Sequence, residues 1–143
     1  MRWLGGVLLI GIISMVLWQI GASKRTVSVR FERVTVQAEV ARSEEEQVRG
    51  LAGHSPLGPS DGMLFPYDSP TRPTFWMKGV TFPIDLIWIQ GGTVVGYEGE
   101  MPTDDGAQQY PAPSAVDAVL EVRSGFVREH GIAVGDPVDL GLQ

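Results

Sequence analysis

The sequence predicts an α+β domain, mainly β: a curved antiparallel sheet or barrel-like fold with two short helices, preceded by one N-terminal hydrophobic helix. Three observations predict it. Apolar and polar residues alternate with period two in several short runs, the mark of half-buried strands. Two brief segments carry helix-start and helix-stop signals. Ahead of both, Trp3 to Ala22 contains no charged residue. At 143 residues the chain has room for one domain plus an appendage.

The appendage comes first, over residues 1–23. Roughly 20 apolar residues cross a bilayer at 1.5 Å rise per residue. Trp3 and Trp18 stand near the two ends, where indole rings favour the interface. The segment reads as a retained membrane anchor. Its alternative is a cleaved secretory signal, since Gly21-Ala22-Ser23 offers small residues to a peptidase. Lys24, Arg25, Arg30 and Arg33 follow it and, by the positive-inside rule, favour a cytoplasmic domain. A short hydrophobic segment ahead of a whole domain is instead the usual export arrangement, and an extracytoplasmic domain is expected. Residues 24–33 read as a basic linker that either rests on anionic headgroups or stays solvated.

The domain proper is expected over 34–143. Val27, Val29 and Phe31 alternate with polar residues, then Val34, Val36, Ala38 and Val40 alternate on the other parity. The switch implies a turn or bulge between a tether or edge strand at 26–31 and a first domain strand at 34–41. Ser43-Glu44-Glu45-Glu46 is a capping box with acids at the positive end of the helix dipole. Gly50 and Gly53 stop that helix after about two turns. Residues 54–61 are loop, and Gly62-Met63-Leu64-Phe65 reads as a buried strand stopped by Pro66. Strands are predicted at 74–78 and 86–89, the latter returning at 94–98 through a Gln90-Gly91-Gly92-Thr93 hairpin turn. A long loop at 101–114 precedes a strand at 118–122. Ser124 is placed to cap a short helix ending at His130-Gly131, and Gly135-Asp136-Pro137 turns into a last strand at 137–140.

Composition removes several function classes. Without Cys there is no thiol catalysis and no cysteine-based zinc site. Residues 35–143 carry six basic against sixteen acidic residues, a net of −10, which repels a phosphate backbone and argues against nucleic-acid binding. His54 and His130 are the only histidines and have no partner at metal-ligand spacing, so neither a metal nor another cofactor is expected. Asp104-Asp105-Gly106 lacks the ligand alternation of a calcium loop and reads as a solvated turn. No serine-hydrolase elbow, phosphate-binding loop or dinucleotide fingerprint is present.

What remains is charge set among apolar strands. Lys78, Asp85 and Glu121 each stand in such surroundings, and a buried charge must find a partner or neutralise itself. Structurally, the three could form an ion network fixing strand register. Functionally, Lys78 could neutralise an anionic ligand while Asp85 or Glu121 serves as base or hydrogen-bond acceptor. Alternation puts Trp76 and Lys78 on one face of their strand and Phe75 and Met77 on the other. If Phe75 and Met77 face the core, Trp76 and Lys78 are presented together. Trp76, Lys78, Asp85 and Glu121 are therefore the candidate ligand-binding residues. Trp88 and Tyr97 could add a stacking face, although buried aromatics are more often packing.

The order of these pieces carries a resemblance. It runs Ala41-Arg42, Gly50-Leu51, Asp61-Gly62-Met63-Leu64-Phe65, Phe75-Trp76-Met77-Lys78 and Pro83-Ile84-Asp85-Leu86. Pro113-Ser114, Val119-Leu120-Glu121, Gly125-Phe126, His130-Gly131-Ile132 and Gly135-Asp136 follow. Over residues 34–140 the chain resembles the bacterial and archaeal family known as domain of unknown function 192. The resemblance implies a small β-rich protein, often exported or membrane-tethered, with no established activity. The chain departs from the family pattern at Ala52 and His54, near where Met and Arg are usual, and at Gly79, where Asn is usual. Two kinds of function stay open: a tethered binding or accessory module for an envelope glycan, peptide or protein partner, and a hydrolase or lyase using the Asp85 and Glu121 carboxylates with Lys78. A structural subunit of a membrane complex is a third.

Overall fold

The computed structural model describes residues 24–143. The expected membrane or signal helix at 1–23 lies outside the described residues. Among the described residues no helix is long and apolar enough to cross a membrane.

Ten elements follow in order: β1 (Thr26–Arg30), β2 (Thr35–Val40), α1 (Glu44–Arg49), β3 (Asp61–Thr71), β4 (Thr74–Trp76), β5 (Ile84–Gln90), β6 (Thr93–Met101), β7 (Gln109–Pro111), β8 (Val116–Arg123) and α2 (Phe126–His130). Six strands form one sheet in the order β1-β2-β3-β8-β5-β6, and β4 pairs with β7 in a separate ribbon. The domain is mainly β with two short helices, but the sheet is mixed rather than all antiparallel. β2 and β3 run parallel, with Val40 opposite Leu64. The reason is α1, which carries the chain back between them, and a helical crossover joins parallel neighbours.

The sheet does not close into a barrel. Residues 137–140, expected as a strand, instead make one bridge to each edge strand, Asp139 to Arg30 and Pro137 to Thr93. Within the stretch expected as a basic linker, the edge-strand reading of 26–31 is the one that holds, as β1 at the margin of the sheet. β1 pairs with β2 throughout, and Val27 and Val29 are buried.

Pro66 does not stop β3, which continues to Thr71. β2 pairs only as far as Leu64, so Pro66 sits where that flank of β3 has no ladder to supply, and it still pairs with Ala118 on the other side. Gly62 is required by space: a Cβ there would lie 2.7 Å from Val36 and 2.8 Å from the Glu121 carbonyl oxygen. The β5–β6 turn takes the expected form, with Gly91 and Gly92 at φ 56° and 71°.

Period two gives the sheet two apolar faces, and both are covered. One face gathers Val29, Val36, Leu64, Ile87, Leu120 and Val122 under α2 and the C-terminal segment. The other gathers Met63, Phe65, Leu86, Trp88 and Val119 under the β4–β7 ribbon and the chain at 77–82. We call these the inner and outer faces. The loop expected at 101–114 contributes β7 to the outer cover, pairing Tyr110 with Phe75.

Candidate functional site

The four sequence-predicted residues divide between the two faces. On β8, Leu120 and Val122 belong to the inner core, so Glu121 points to the outer one. On β5, Ile84, Leu86 and Trp88 belong to the outer core, so Asp85 points inward. The two carboxylates stand on neighbouring strands, with Leu86 opposite Glu121 and Asp85 opposite Val122, yet the sheet separates them.

Asp85 is 1% exposed and fully engaged. Its Oδ1 accepts from the Glu100 amide at 2.8 Å and the Gly125 amide at 3.1 Å, and its Oδ2 accepts from the Val127 amide at 2.9 Å. It thereby caps α2 from another strand. Ser124, expected to do so, makes no cap; Gly125 holds the N-cap position without a side-chain bond. A β6 bulge supplies the third donor. Ile84 faces Met101 and Leu86 faces Glu98, so two residues oppose Asp85, and Glu100 adopts φ 53°.

Glu121 is nearly as buried but contrasts in its partners. It is 5% exposed, and its Oε2 has no hydrogen-bond partner. Met63 and Leu86 flank it across the two adjoining strands, so its nearest sheet neighbours are apolar. Burial pushes its carboxyl up to about 8, which leaves it a neutral acid near pH 7. The Tyr67 hydroxyl nearby is pushed up to about 12 by burial and by the Glu121 charge.

Above Glu121 a groove of about 210 Å³ opens between α1 and β4. Its walls include Gln47 and Val48 from α1, Phe65 and Tyr67 from β3, and Phe75 and Trp76 from β4. The capping box fixes the start of α1: the Ser43 hydroxyl accepts from the Glu46 amide, and the Glu46 carboxylate accepts from the Ser43 and Arg42 amides. The Gln47 amide donates to the Ala41 and Pro66 carbonyls at 3.2 and 3.1 Å and so ties the helix to β3. Phe75 packs edge-on against Phe65 and Trp88, with centroids 5.0 and 5.7 Å apart. That packing turns Trp76, 41% exposed, and Lys78 outward while Met77 is buried.

Trp76, Lys78 and Glu121 therefore share the groove and Asp85 does not. Among the described residues, neither Lys78, Asp85 nor Glu121 forms an ion pair, with one another or with any other residue. The expected ion network is absent there. Tyr67, Gln47 and Arg49 line the groove without having been signalled by the sequence: each comes from a different part of the chain, and Tyr67 lies past the proline expected to end its strand. Among the described residues no three acidic, His or Cys side chains cluster as metal ligands.

The chain belongs to the family described as DUF192, an uncharacterized ACR, whose model matches residues 26–140. A crystal structure of a protein of unknown function from Novosphingobium aromaticivorans DSM 12444 is 30% identical and has a TM-score of 0.74. The alignment covers 85% of this chain and 88% of that one. A second, from Sinorhizobium meliloti 1021 and described as a candidate transcription regulator, is 24% identical with a TM-score of 0.79, covering 85% and 98%. The second likeness speaks for the fold alone. No curated protein matches the chain.

Proposed function

We propose that this DUF192 member is a binding or accessory module held at a membrane by its N-terminal segment. Its domain lies outside the cytoplasm and its groove receives part of an envelope glycan, peptide or partner protein. One observation carries the reading: the Glu121 carboxyl is buried with an unpartnered oxygen at the floor of a groove rimmed by an exposed Trp. An unsatisfied buried polar atom costs about 1–3 kcal/mol, which a ligand supplying the missing hydrogen bond recovers. A Trp half open to solvent beside it offers a flat apolar surface for the same ligand. The uncharged N-terminal stretch supports the tether.

The hydrolase or lyase alternative needs Asp85 and Glu121 within about 10 Å of one another around a shared substrate. Their placement on opposite faces, with Asp85 consumed by three backbone donors, takes away its support. Nor does the net charge of −10 over 35–143 favour DNA as a partner.

The test is a thermal-shift and fluorescence screen of the full chain against envelope glycan fragments and short peptides. A hit that raises the melting temperature, perturbs Trp emission and loses its effect in Trp76→Ala is the expected result. Silence across the panel overturns the reading. A periplasm-sensitive reporter at the C-terminus checks the location, and a signal from the cytoplasm would reverse the orientation.

A further inference from the structure

Charge is distributed along the groove in a way that narrows the ligand. Arg49 and Lys78 both line it, and neither has an ion pair among the described residues. In a domain this acidic, two unpaired cations beside one cavity form a local anion preference. They also belong to the same end. The Ala52 amide donates to the Arg49 carbonyl at 3.0 Å, the Gly53 amide to the Gly79 carbonyl at 3.3 Å, and Gly79 packs against Ala52. Glu44 stands at the opposite end of α1, five residues and so about 7.5 Å along the axis from Arg49. The groove thus has a basic end, an acidic end and an apolar middle floored by Glu121.

Its size sets a second limit. About 210 Å³ is below the usual ~300–1,000 Å³ of small-molecule pockets, so it holds one unit of a polymer and not a run of them. The requirements are a compact apolar body, a polar group facing the floor, and an anion at one end.

Resting on the binding reading above, we propose that the groove takes the carboxy-terminal residue of a peptide. Its side chain lies among Phe65, Phe75 and Trp76, its backbone amide meets Glu121, and its terminal carboxylate lies by Lys78 and Arg49. As a neutral acid on the groove floor Glu121 donates to the ligand's amide carbonyl. The titratable and charged groups that line the groove with it are Tyr67 from β3, Glu44 and Arg49 from α1, and Lys78 beyond β4. Once Glu121 ionises, its charge repels the ligand carboxylate and its proton is no longer there to donate.

The experiment measures binding of four probes to the full chain by calorimetry and Trp emission. They are N-acetylphenylalanine, its uncharged amide, the peptide glycyl-glycyl-phenylalanine, and N,N′-diacetylchitobiose. Both free acids are expected to bind at least about tenfold more tightly than the amide, the gap that a charge-assisted hydrogen bond confers. Lys78→Met and Arg49→Gln should each shrink that gap without changing the melting temperature, and acid binding should weaken as pH rises past the ionisation of Glu121. Equal binding of acid and amide overturns the carboxylate assignment while leaving the groove a binding site. Binding of the acetylated amino acid but not the peptide overturns the chain-end assignment. Response to the disaccharide alone overturns the peptide class, and silence with all four overturns the proposal. A hit in the broader envelope panel would then still separate that failure from failure of the binding reading.

Discussion

Asp85 and Glu121 are the same kind of group in nearly the same place, and they do opposite things. Each is an acid on a central strand, each is almost wholly buried, and their strands are hydrogen-bonded to one another. Asp85 has three backbone amides aimed at it, from β6 and α2. Glu121 lies between Met63 and Leu86 with one oxygen unpartnered. Burial is therefore no guide to role; what separates architecture from site is whether the surrounding chain has already satisfied the group. A one-residue difference in phase along the strands decides which face, and hence which fate, each acid receives.

The sharpest way to break the comparison is to remove Asp85. Asp85→Ala strips three amides of their acceptor in a closed interior and unties α2 from the sheet. Hydrogen bonds to charged groups are worth about 1.5–3 kcal/mol each but are not additive, so we expect a loss of about 3–5 kcal/mol in urea denaturation. Asp85→Asn, keeping one acceptor oxygen, should fall between. A loss below about 1 kcal/mol would show that Asp85 is not the fastening it resembles.

Glu121 should respond in the other direction and with pH. Its carboxyl has an ordinary value of 4.5 and is raised to about 8 by burial. Below the ordinary value both folded and unfolded chains keep the proton, and its contribution to stability is complete. Between the two values the unfolded chain has lost a proton that the folded chain retains, so stability falls by up to about 1.4 kcal/mol per pH unit. Above the folded value both are ionised and the loss levels off, at roughly 3–5 kcal/mol if the full shift is expressed. Glu121→Gln should flatten this slope, leaving the protein more stable than the wild type at alkaline pH by about 2–4 kcal/mol. Parallel pH–stability curves for the two proteins would sink the assignment.

The parts of this division that the sequence made legible are those with a local cause. The capping box at Ser43–Glu46 and the Gly91-Gly92 turn are spelled out by adjacent residues, and both form as read. Alternation around Phe75-Trp76-Met77-Lys78 puts Trp76 and Lys78 on one face, and the burial of Met77 turns that face outward. The Asp85 cap of α2 has no such signature, because donor and acceptor are separated by 40 residues or more. Ser124 is the local candidate for that role, and a distant carboxylate takes it instead. The parallel pairing of β2 with β3 and the continuation of β3 past Pro66 depend on neighbours that only the fold supplies. Even so, the facts that Asp85 and Glu121 lie on opposite faces and that Tyr67 shares a groove with Glu121 needed the register.

A smaller effect isolates the groove from the fold. Trp76 is substantially exposed and belongs to a three-residue strand at the edge of the outer cover, so Trp76→Ala should cost no more than about 1 kcal/mol. Trp88 is fully buried and should report folding alone. The expected result is a nearly unchanged denaturation midpoint with loss of any ligand-dependent emission change. Retention of the ligand signal would move the site away from Trp76.

The smallest predicted effect is an absence of coupling, and it bears most directly on the pair of charges that mark the sequence. Lys78 and Asp85 are the two formal charges in the apolar run from Thr74 to Ile89, which makes an ion pair between them the natural first reading. Lys78 lines the outer-face groove, whereas Asp85 is enclosed on the inner face by β6 and α2. A double-mutant cycle with Lys78→Met and Asp85→Asn should therefore be additive within about 0.5 kcal/mol, as for sites that share no partner. Lys78→Met alone should change stability by no more than that, since it exchanges one exposed side chain for another. A coupling above about 1 kcal/mol would connect the two faces through the sheet and undo the separation between fastening and site. Additivity would leave Lys78 free to act on a ligand, because the fold then makes no demand on its charge.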